Sequence, residues 1–441
     1  MSDMTPEQWR DHLLPSLRAQ MVATVEHRRW LDGPHPWPTP PEAIRERLQR
    51  ICELAETNLC GLAVDAVAER LGVSGMRVTG DMKLDADLWR RVWQANYLDA
   101  DSTDAHRDAL TTGHSYLLVT PRDGADPLVT VEDPAECIVA YAPGSRRDRL
   151  AALKCYRSGS ALVATVWTST EVVTWRSVVA EPNIAAGARW ELHPDFPPAP
   201  NPLQVVPMVE MRCDGELGHK VVTTQKRINM TMFRLLIIGD YMIVPQRYLI
   251  GAEVQRDADG APVNSLRSGA EHAWIIEAED AAKVKIGQLD PADIAPLMAL
   301  LEGDVTRFGA ITKTPLYYVA GGLVNVSADA IRAAEAGLVA KVRRRQLTFG
   351  EAWEEAFSLA MQAMGVDAPD DIEIVWADAE SRSLAERADA AVKLQAIGYP
   401  FPALARKMGD TEAEIARLAA ERAAEPITID PVAAQAPIVA L

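Results

Sequence analysis

The stretch Gly309-Ala310-Ile311-Thr312-Lys313-Thr314-Pro315-Leu316-Tyr317-Tyr318-Val319-Ala320-Gly321-Gly322-Leu323-Val324-Asn325-Val326, followed by an unbroken run from Ser327 to Met364, decides the fold. Ser327 offers an N-cap hydroxyl, and from Ala328 to Ala363 only two isolated glycines, Gly337 and Gly350, interrupt good helix formers. At a rise of roughly 1.5 Å per residue the helix is about 55 Å long. Helices of globular domains are far shorter, so the run predicts an element that spans a large assembly or a subunit ring. The preceding segment, with Gly309, Gly321 and Gly322, reads as a mobile loop mounted between helices.

Outward from this core, the chain has 441 residues, 48% hydrophobic and 24% charged, a globular composition with room for several domains. No window reaches the roughly 18 uninterrupted apolar residues of a membrane span. The best, Leu235 to Val244, contains Gly239, Asp240 and Tyr241. Met1 to Glu7 lacks the basic start and apolar core of a signal peptide, so synthesis and use in a cytoplasm, with no membrane, are expected. The five cysteines are scattered without a Cys-x-x-Cys pair, as buried apolar thiols in a reducing compartment would be. A formal net charge of −17 argues against coating nucleic acid by phosphate neutralisation. It leaves open both no nucleic acid at all and nucleic acid sliding past an acidic wall.

Apolar spacing predicts a helix over residues 1–31 (Trp9, Leu13, Leu17, Met21, Val25), then helices from Glu42 to Glu56 and from Leu59 to Leu71. A further helix carries Leu88, Val92 and Trp93, and another starts near Asp101 or Ser102 and runs to Thr112. From His114 the texture becomes β: short strands at Ser115–Thr120, Leu128–Val131, Cys137–Tyr141, Leu150–Tyr156, Leu162–Thr168 and Val172–Trp175 form an antiparallel module to about residue 213. Val221 to Val244 returns to helix, and Gln246 to Leu289 reads as a β insertion turning at Asp259-Gly260. Asp290 and Pro291 predict a helix start that reaches Phe308. Ser381 to Glu425 is mostly helical, and the Ala/Pro-rich tail after it reads as disordered.

Chemistry is hard to find. Gly309 to Thr314 lacks the glycine before Lys313 and the following helix that a phosphate-binding loop needs. Asp99, Asp101 and Asp104 cluster as in a calcium loop but lack its glycine and later glutamate, and helix capping explains them better. No His-x-x-x-His pair and no Gly-x-Ser-x-Gly elbow occurs. The densest basic run, Lys341 to Arg345, reads as a solvated face, as intersubunit pairing with acidic neighbours, or as a DNA contact. Lys313, Tyr317 and Tyr318 read either as ordinary loop and packing residues or as channel-lining groups.

An ordered series of segments carries a resemblance: Asn58 to Leu71, Trp93 to Ser102, Ala109 to Tyr116, Val205 to Val209 and Ala330 to Lys341. Together they resemble the portal proteins of tailed double-stranded DNA bacteriophages, especially those infecting actinobacteria. The resemblance implies an α+β portal fold: a wing over 1–220 (helical part, then antiparallel β module), a stem helix over 221–244, a β clip over 245–289, and a second stem helix over 290–308. It continues with a tunnel loop over 309–326, a long wing helix over 327–364, a helical crown over 365–425 and a disordered tail over 426–441. Asp214 to Lys220 departs from the family pattern by lacking a serine-plus-acid helix start.

The implied function is non-enzymatic and needs no cofactor: a homododecameric ring at one capsid vertex, the conduit for genome packaging and ejection. Implied partners are double-stranded DNA bound without sequence specificity, the terminase large subunit, a head–tail adaptor, the major capsid protein and scaffold. The implied sites are Lys313, Tyr317, Tyr318 and Asn325 in the tunnel, and Arg256, Asp257, Asp259 and Gly260 at the clip. Glu335, Lys341, Arg343, Arg344 and Arg345 are the expected contacts between subunits. A phage connector or capsid protein without a DNA channel is the alternative, and a soluble enzyme the third reading.

Overall fold

The computed structural model describes residues 4–37, 45–78, 82–178, 189–243, 247–250, 285–288, 293–320, 328–367, 372–380, 384–410 and 412–424. In chain order the elements are α1 (Pro6–Asp32), α2 (Arg45–Ala55), α3 (Leu59–Ala68), β1 (Val73–Arg77), α4 (Met82–Leu88), α5 (Leu98–Thr112), β2 (His114–Arg122), β3 (Ala125–Glu132), β4 (Cys137–Tyr141) and β5 (Arg149–Ser158). They continue with β6 (Ala161–Thr168), β7 (Glu171–Ser177), β8 (Trp190–Leu192), β9 (Ala199–Pro200), β10 (Met208–Arg212), α6 (His219–Ile243), β11 (Arg247–Ile250) and β12 (Lys285–Gln288). The last are α7 (Ala295–Thr312), α8 (Leu316–Ala320), α9 (Ala328–Ala363), β13 (Glu373–Trp376), α10 (Leu384–Ala396), α11 (Phe401–Met408) and α12 (Glu412–Ala424). The chain is mixed α and β, with two compact units: Met1–Leu31, Gly61–Gly218 and Asn325–Leu441 form one, Asp32–Cys60 and His219–Val324 the other.

In the first unit, α1 opens with a capping box: the Gln8 amide N–H donates to Thr5 Oγ1 at 3.3 Å and Thr5 N–H to Gln8 Oε1 at 2.9 Å. Its Trp9, Leu13, Leu14 and Leu17 then fall on one face and bury against Leu153, Leu162, Val166 and Trp175 of the larger sheet. Arg10, almost fully buried, lies 4.8 Å over the Trp175 ring, so its stem packs while its charge meets the π face. The larger sheet runs β4-β5-β6-β7-β8 with β9 added to β7, and a second sheet runs β10-β2-β3. All these pairings are antiparallel, as the alternating pattern predicts. Tyr116, Leu118, Cys137, Val139, Ala152, Val206 and Met208 form the second core, drawn from both sheets.

Helix α9 has 36 residues, close to the predicted run. Leu338, Val342, Phe349, Trp353, Phe357 and Ala360 recur at helical spacing and are buried. They meet an aromatic cluster: Trp93 stacks on Trp89 at 4.6 Å and lies edge-on to Trp353 at 4.8 Å.

 Trp93 Nε1–H donates to Asp99 Oδ1 at 2.8 Å, and Trp353 Nε1–H donates to His106 Nε2 at 2.9 Å. Residues Trp89–Trp93 form a π-helical turn and Gln94–Asn96 a 3-10 turn, which bring both tryptophans of this segment to the same side. Helix α5 therefore starts at Leu98, ahead of the expected Asp101: the acidic first turn is used by Trp93 as well as by the helix end. Strand β1 pairs with β13, antiparallel, with Val73 opposite Trp376 and Arg77 opposite Glu373.

In the second unit α6 packs on α2 and α7. Gln225 Nε2–H donates to the Thr57 carbonyl at 2.5 Å, Leu59 N–H donates to Gln225 Oε1 at 3.1 Å, and Asn229 Nδ2 meets His35 Nδ1 at 2.7 Å. These amides satisfy backbone groups that would otherwise be buried without partners. Strands β11 and β12 pair from Arg247↔Gln288 to Ile250↔Lys285, the paired base of the expected β insertion. The second helix of the expected pair begins at Ala295, later than Asp290 and Pro291 imply, with Ile294 at the N-cap and a proline in its first turn. Asp290, Pro291 and Ser327 lie outside the described residues, as does the tail from 425.

Candidate functional site

The segment expected to be a loop from Gly309 is helical for its first four residues. Helix α7 continues to Thr312 and ends at Lys313, whose φ of 57° is left-handed and whose N–H donates to the Gly309 carbonyl. A lysine in that conformation carries strain of the order of 1 kcal/mol that glycine would not. Gly309 is buried in the helix: a Cβ there would meet Leu316 Cδ2 at 3.0 Å and the Thr314 carbonyl oxygen at 3.1 Å. Its role is close approach, which corrects the reading of Gly309 as a source of mobility. Thr312 Oγ1–H donates to the Phe308 carbonyl at 2.9 Å and lies 2.9 Å from Thr314 Oγ1, and both threonines are buried. Pro315 then allows the short helix α8, where Tyr317 and Tyr318 lie edge to face at 4.8 Å. Lys313 is exposed and the two tyrosines are half-buried.

On α9 the basic run divides by helical angle. Lys341 Nζ lies 2.9 Å from Glu216 Oε2 and Arg345 Nη2 lies 3.1 Å from Glu216 Oε1. The three side chains are 11%, 8% and 7% exposed in the order Lys341, Arg345, Glu216, so one buried carboxylate serves two cations. Glu335 pairs with Arg70 at 3.0 Å, also largely buried. Arg343 reaches Glu380 at 2.7 Å and Arg344 reaches Asp214 at 3.4 Å, with the two guanidiniums 57% and 74% exposed. Lys341 and Arg345, four apart, point inward together with Val342, and Arg343 and Arg344 point outward, a separation the helical period supplies. Sequence reasoning missed Glu216 altogether; its signal is only an isolated acid beside Gly215.

Asn325, Arg256, Asp257, Asp259 and Gly260 lie outside the described residues. Among the described residues no group of three or more His, Cys, Asp and Glu is placed to hold a metal ion, and no helix is long and apolar enough to cross a membrane. All five cysteines are free thiols; burial pushes Cys60 and Cys155 up to about 12, far from the thiolate that nucleophilic chemistry needs.

A family model described as phage portal protein, SPP1 Gp6-like, matches residues 47–426. The chain belongs to this portal family. The portal protein of Mycobacterium phage L5 is 32% identical over 385 residues, covering 81% of this chain and 76% of that relative. The portal protein of Mycobacterium phage D29 is 32% identical over 371 residues, covering 78% of this chain and 73% of the relative. Among solved structures, a chain from the virion of a native gene transfer agent particle superposes with a TM-score of 0.46 at 14% identity, over 89% of this chain and 99% of its own. A chain from the neck of the native particle, computed with C12 symmetry, gives the same TM-score and identity over 89% of this chain and 98% of its own. As a portal protein the chain forms the channel at a capsid vertex through which DNA is packaged.

Proposed function

We propose that copies of this portal chain close into a ring of twelve, with the wing, stem, clip, tunnel and crown divided as the family resemblance implies. The observation that carries the reading is the 36-residue helix α9 within a family match that spans residues 47–426. A helix about 54 Å long at 1.5 Å per residue exceeds what one small core needs and suits contacts with neighbours. In this division α6 and α7 are the stem helices, β11 and β12 the base of the clip, and α10 to α12 the crown. The tunnel segment begins at the left-handed turn of Lys313 rather than at Gly309. Its partner is double-stranded DNA in transit; the clip meets the terminase large subunit during packaging and a head–tail adaptor afterwards, and the outer wing meets major capsid protein and scaffold. The ring is assembled in the host cytoplasm and ends in the virion. Electron microscopy of the purified chain tests the reading: rings with a central hole are expected, and compact monomers at all concentrations would overturn it.

Two variants test the assigned residues. Arg343 and Arg344 are the members of the basic run left exposed, so contacts between subunits fall to them rather than to Lys341 and Arg345. Reversing both to Glu should lower ring yield, with the deficit changing as salt screens the repulsion; unchanged yield and salt response would remove the pair from the interface. Lys313→Glu should leave rings intact and reduce the genome length retained per particle. One cation per copy in the 309–326 segment attracts phosphate weakly enough to permit sliding, and its reversal turns that attraction into repulsion. Full-length genomes in particles carrying Lys313→Glu would end that role.

A further inference from the structure

Helix α6 carries Lys220, Lys226, Arg227 and Arg234, and its only acid is Asp240. All four cations occupy exposed positions. Lys220, Arg227 and Arg234 recur every seven residues and so form one stripe that drifts only about 20° per repeat, with Lys226 beside it. In a chain of net charge −17 this is a local reversal of sign.

The stripe has a built centre. Asp304 on α7 has a side chain only 1% exposed, and its Oδ1 lies 2.6 Å from Arg227 Nη2 and 2.6 Å from Arg307 Nη1. Those two nitrogens are therefore no more than about 5 Å apart, held on one oxygen. One carboxylate facing two guanidiniums leaves a surplus positive charge, and the carboxylate itself is out of solvent's reach. Arg227 and Arg307 remain 47% and 53% exposed, so each keeps N–H groups turned to water in an orientation that the buried anchor restricts. Two forked guanidiniums fixed side by side suit an oxyanion, phosphate above all.

A carboxylate from a neighbouring protein surface would fit the same fork. The composition of the stripe favours nucleic acid: the positions between its charges are Thr223 and the half-buried Met230, with no exposed aromatic anchor of the kind protein interfaces centre on. Repeated cations without anchors are what backbone tracking uses. We propose that Arg227 and Arg307, forked on Asp304, form a phosphodiester site, and that the stripe from Lys220 to Arg234 follows the DNA backbone. This rests on the portal reading above and adds a second DNA contact, on the stem helices rather than the tunnel segment.

The test uses full-length rings and a fluorescent duplex of about 30 base pairs, titrated across salt. One variant combines Arg227→Gln, Arg307→Gln and Asp304→Asn, which removes both cations without stranding the buried acid. A second, Lys220→Gln with Arg234→Gln, leaves the Asp304 cluster untouched and covers the case in which the first does not fold. Each should lower the slope of log K against log salt by about 2 and weaken binding at least tenfold near 0.1 M salt, with ring yield unchanged for the second. Unchanged duplex binding by a folded second variant overturns the stripe. Loss of rings by that variant, with its circular dichroism intact, overturns it too and assigns the stripe to a neighbouring copy. Wild-type chain that forms no rings overturns the portal reading instead, so the two failures are distinct.

Discussion

Glu216→Ala is expected to destabilise the first unit by about 3–5 kcal/mol, the cost of leaving buried charge without its counter-ion. The carboxylate stands between Lys341 and Arg345, and all three side chains are at most 11% exposed. Its backbone is fixed as well: Glu216 N–H donates to the Leu110 carbonyl at 2.6 Å and Cys213 N–H to the Gly113 carbonyl at 2.9 Å. A Cβ on Gly113 would lie 3.2 Å from the Cys213 carbonyl oxygen and one on Gly215 would lie 3.5 Å from Gly113 N, and both glycines hold positive φ. The acid therefore cannot be replaced by a shift of the turn that carries it. Water would have to enter to solvate the two cations. Urea unfolding followed by circular dichroism measures the loss, and a change below about 1 kcal/mol would contradict the buried-clamp account. Exchanging all three residues for apolar ones of similar volume should recover much of the loss, because it removes the uncompensated charges together.

Acid should unfold this unit through His106. Burial holds its imidazole down at about 3, only partly countered by the backbone at Leu71. Above about pH 6.5 the ring is neutral in both folded and unfolded chains and contributes no pH dependence. Below that the unfolded chain takes up a proton that the folded one refuses, so stability falls by up to about 1.4 kcal/mol per pH unit until the folded ring titrates near 3. The geometry gives the reason. Nε2 accepts from Trp353 Nε1–H at 2.9 Å, and protonation would set two donors against each other inside a cluster with Phe349 at 5.4 Å. Carboxylates titrate in part of the same window, so the informative quantity is the difference from His106→Gln, whose amide oxygen can accept the same bond. That variant should be less stable at pH 7 yet show a shallower slope between pH 6.5 and 5; equal slopes would exclude His106 as the acid-labile group.

Strands β2 to β7 were legible because each pairs with a neighbour in sequence, so alternation and turn residues suffice; β8, β9 and β10 were not expected, and β10 pairs with the distant β2. Cys137–Tyr141 has the expected bounds, and the other strands extend the predicted ones by one to three residues at an end. Helix α9 was legible from the absence of breakers alone. What local patterns could not show is pairing at a distance: β1 fell in a stretch assigned to no element, and β13 in a nominally helical region, since neither strand has a hairpin partner. The same limit hid the Glu216 clamp, whose meaning depends on cations more than a hundred residues away. The Lys313 turn was misjudged for a different reason. Glycine at 309 suggested freedom, whereas the backbone there is held by contact with Leu316 and Thr314.

The pairing of β1 with β13 also constrains the order of events during synthesis. Val73 cannot find Trp376 until the intervening chain of some three hundred residues has left the ribosome. Contacts of such separation form late and slowly. Trp376 in turn lies 5.4 Å from the His106 ring and contributes Nε1 to the tight surroundings of Gly350 on α9, so the last strand seals the seat of the long helix. A nascent or prematurely terminated chain lacks that seal. The topology thus makes the seat of α9 conditional on both strands: a chain that stops short of Glu373 leaves β1 without its partner and Gly350 without the Trp376 ring against it.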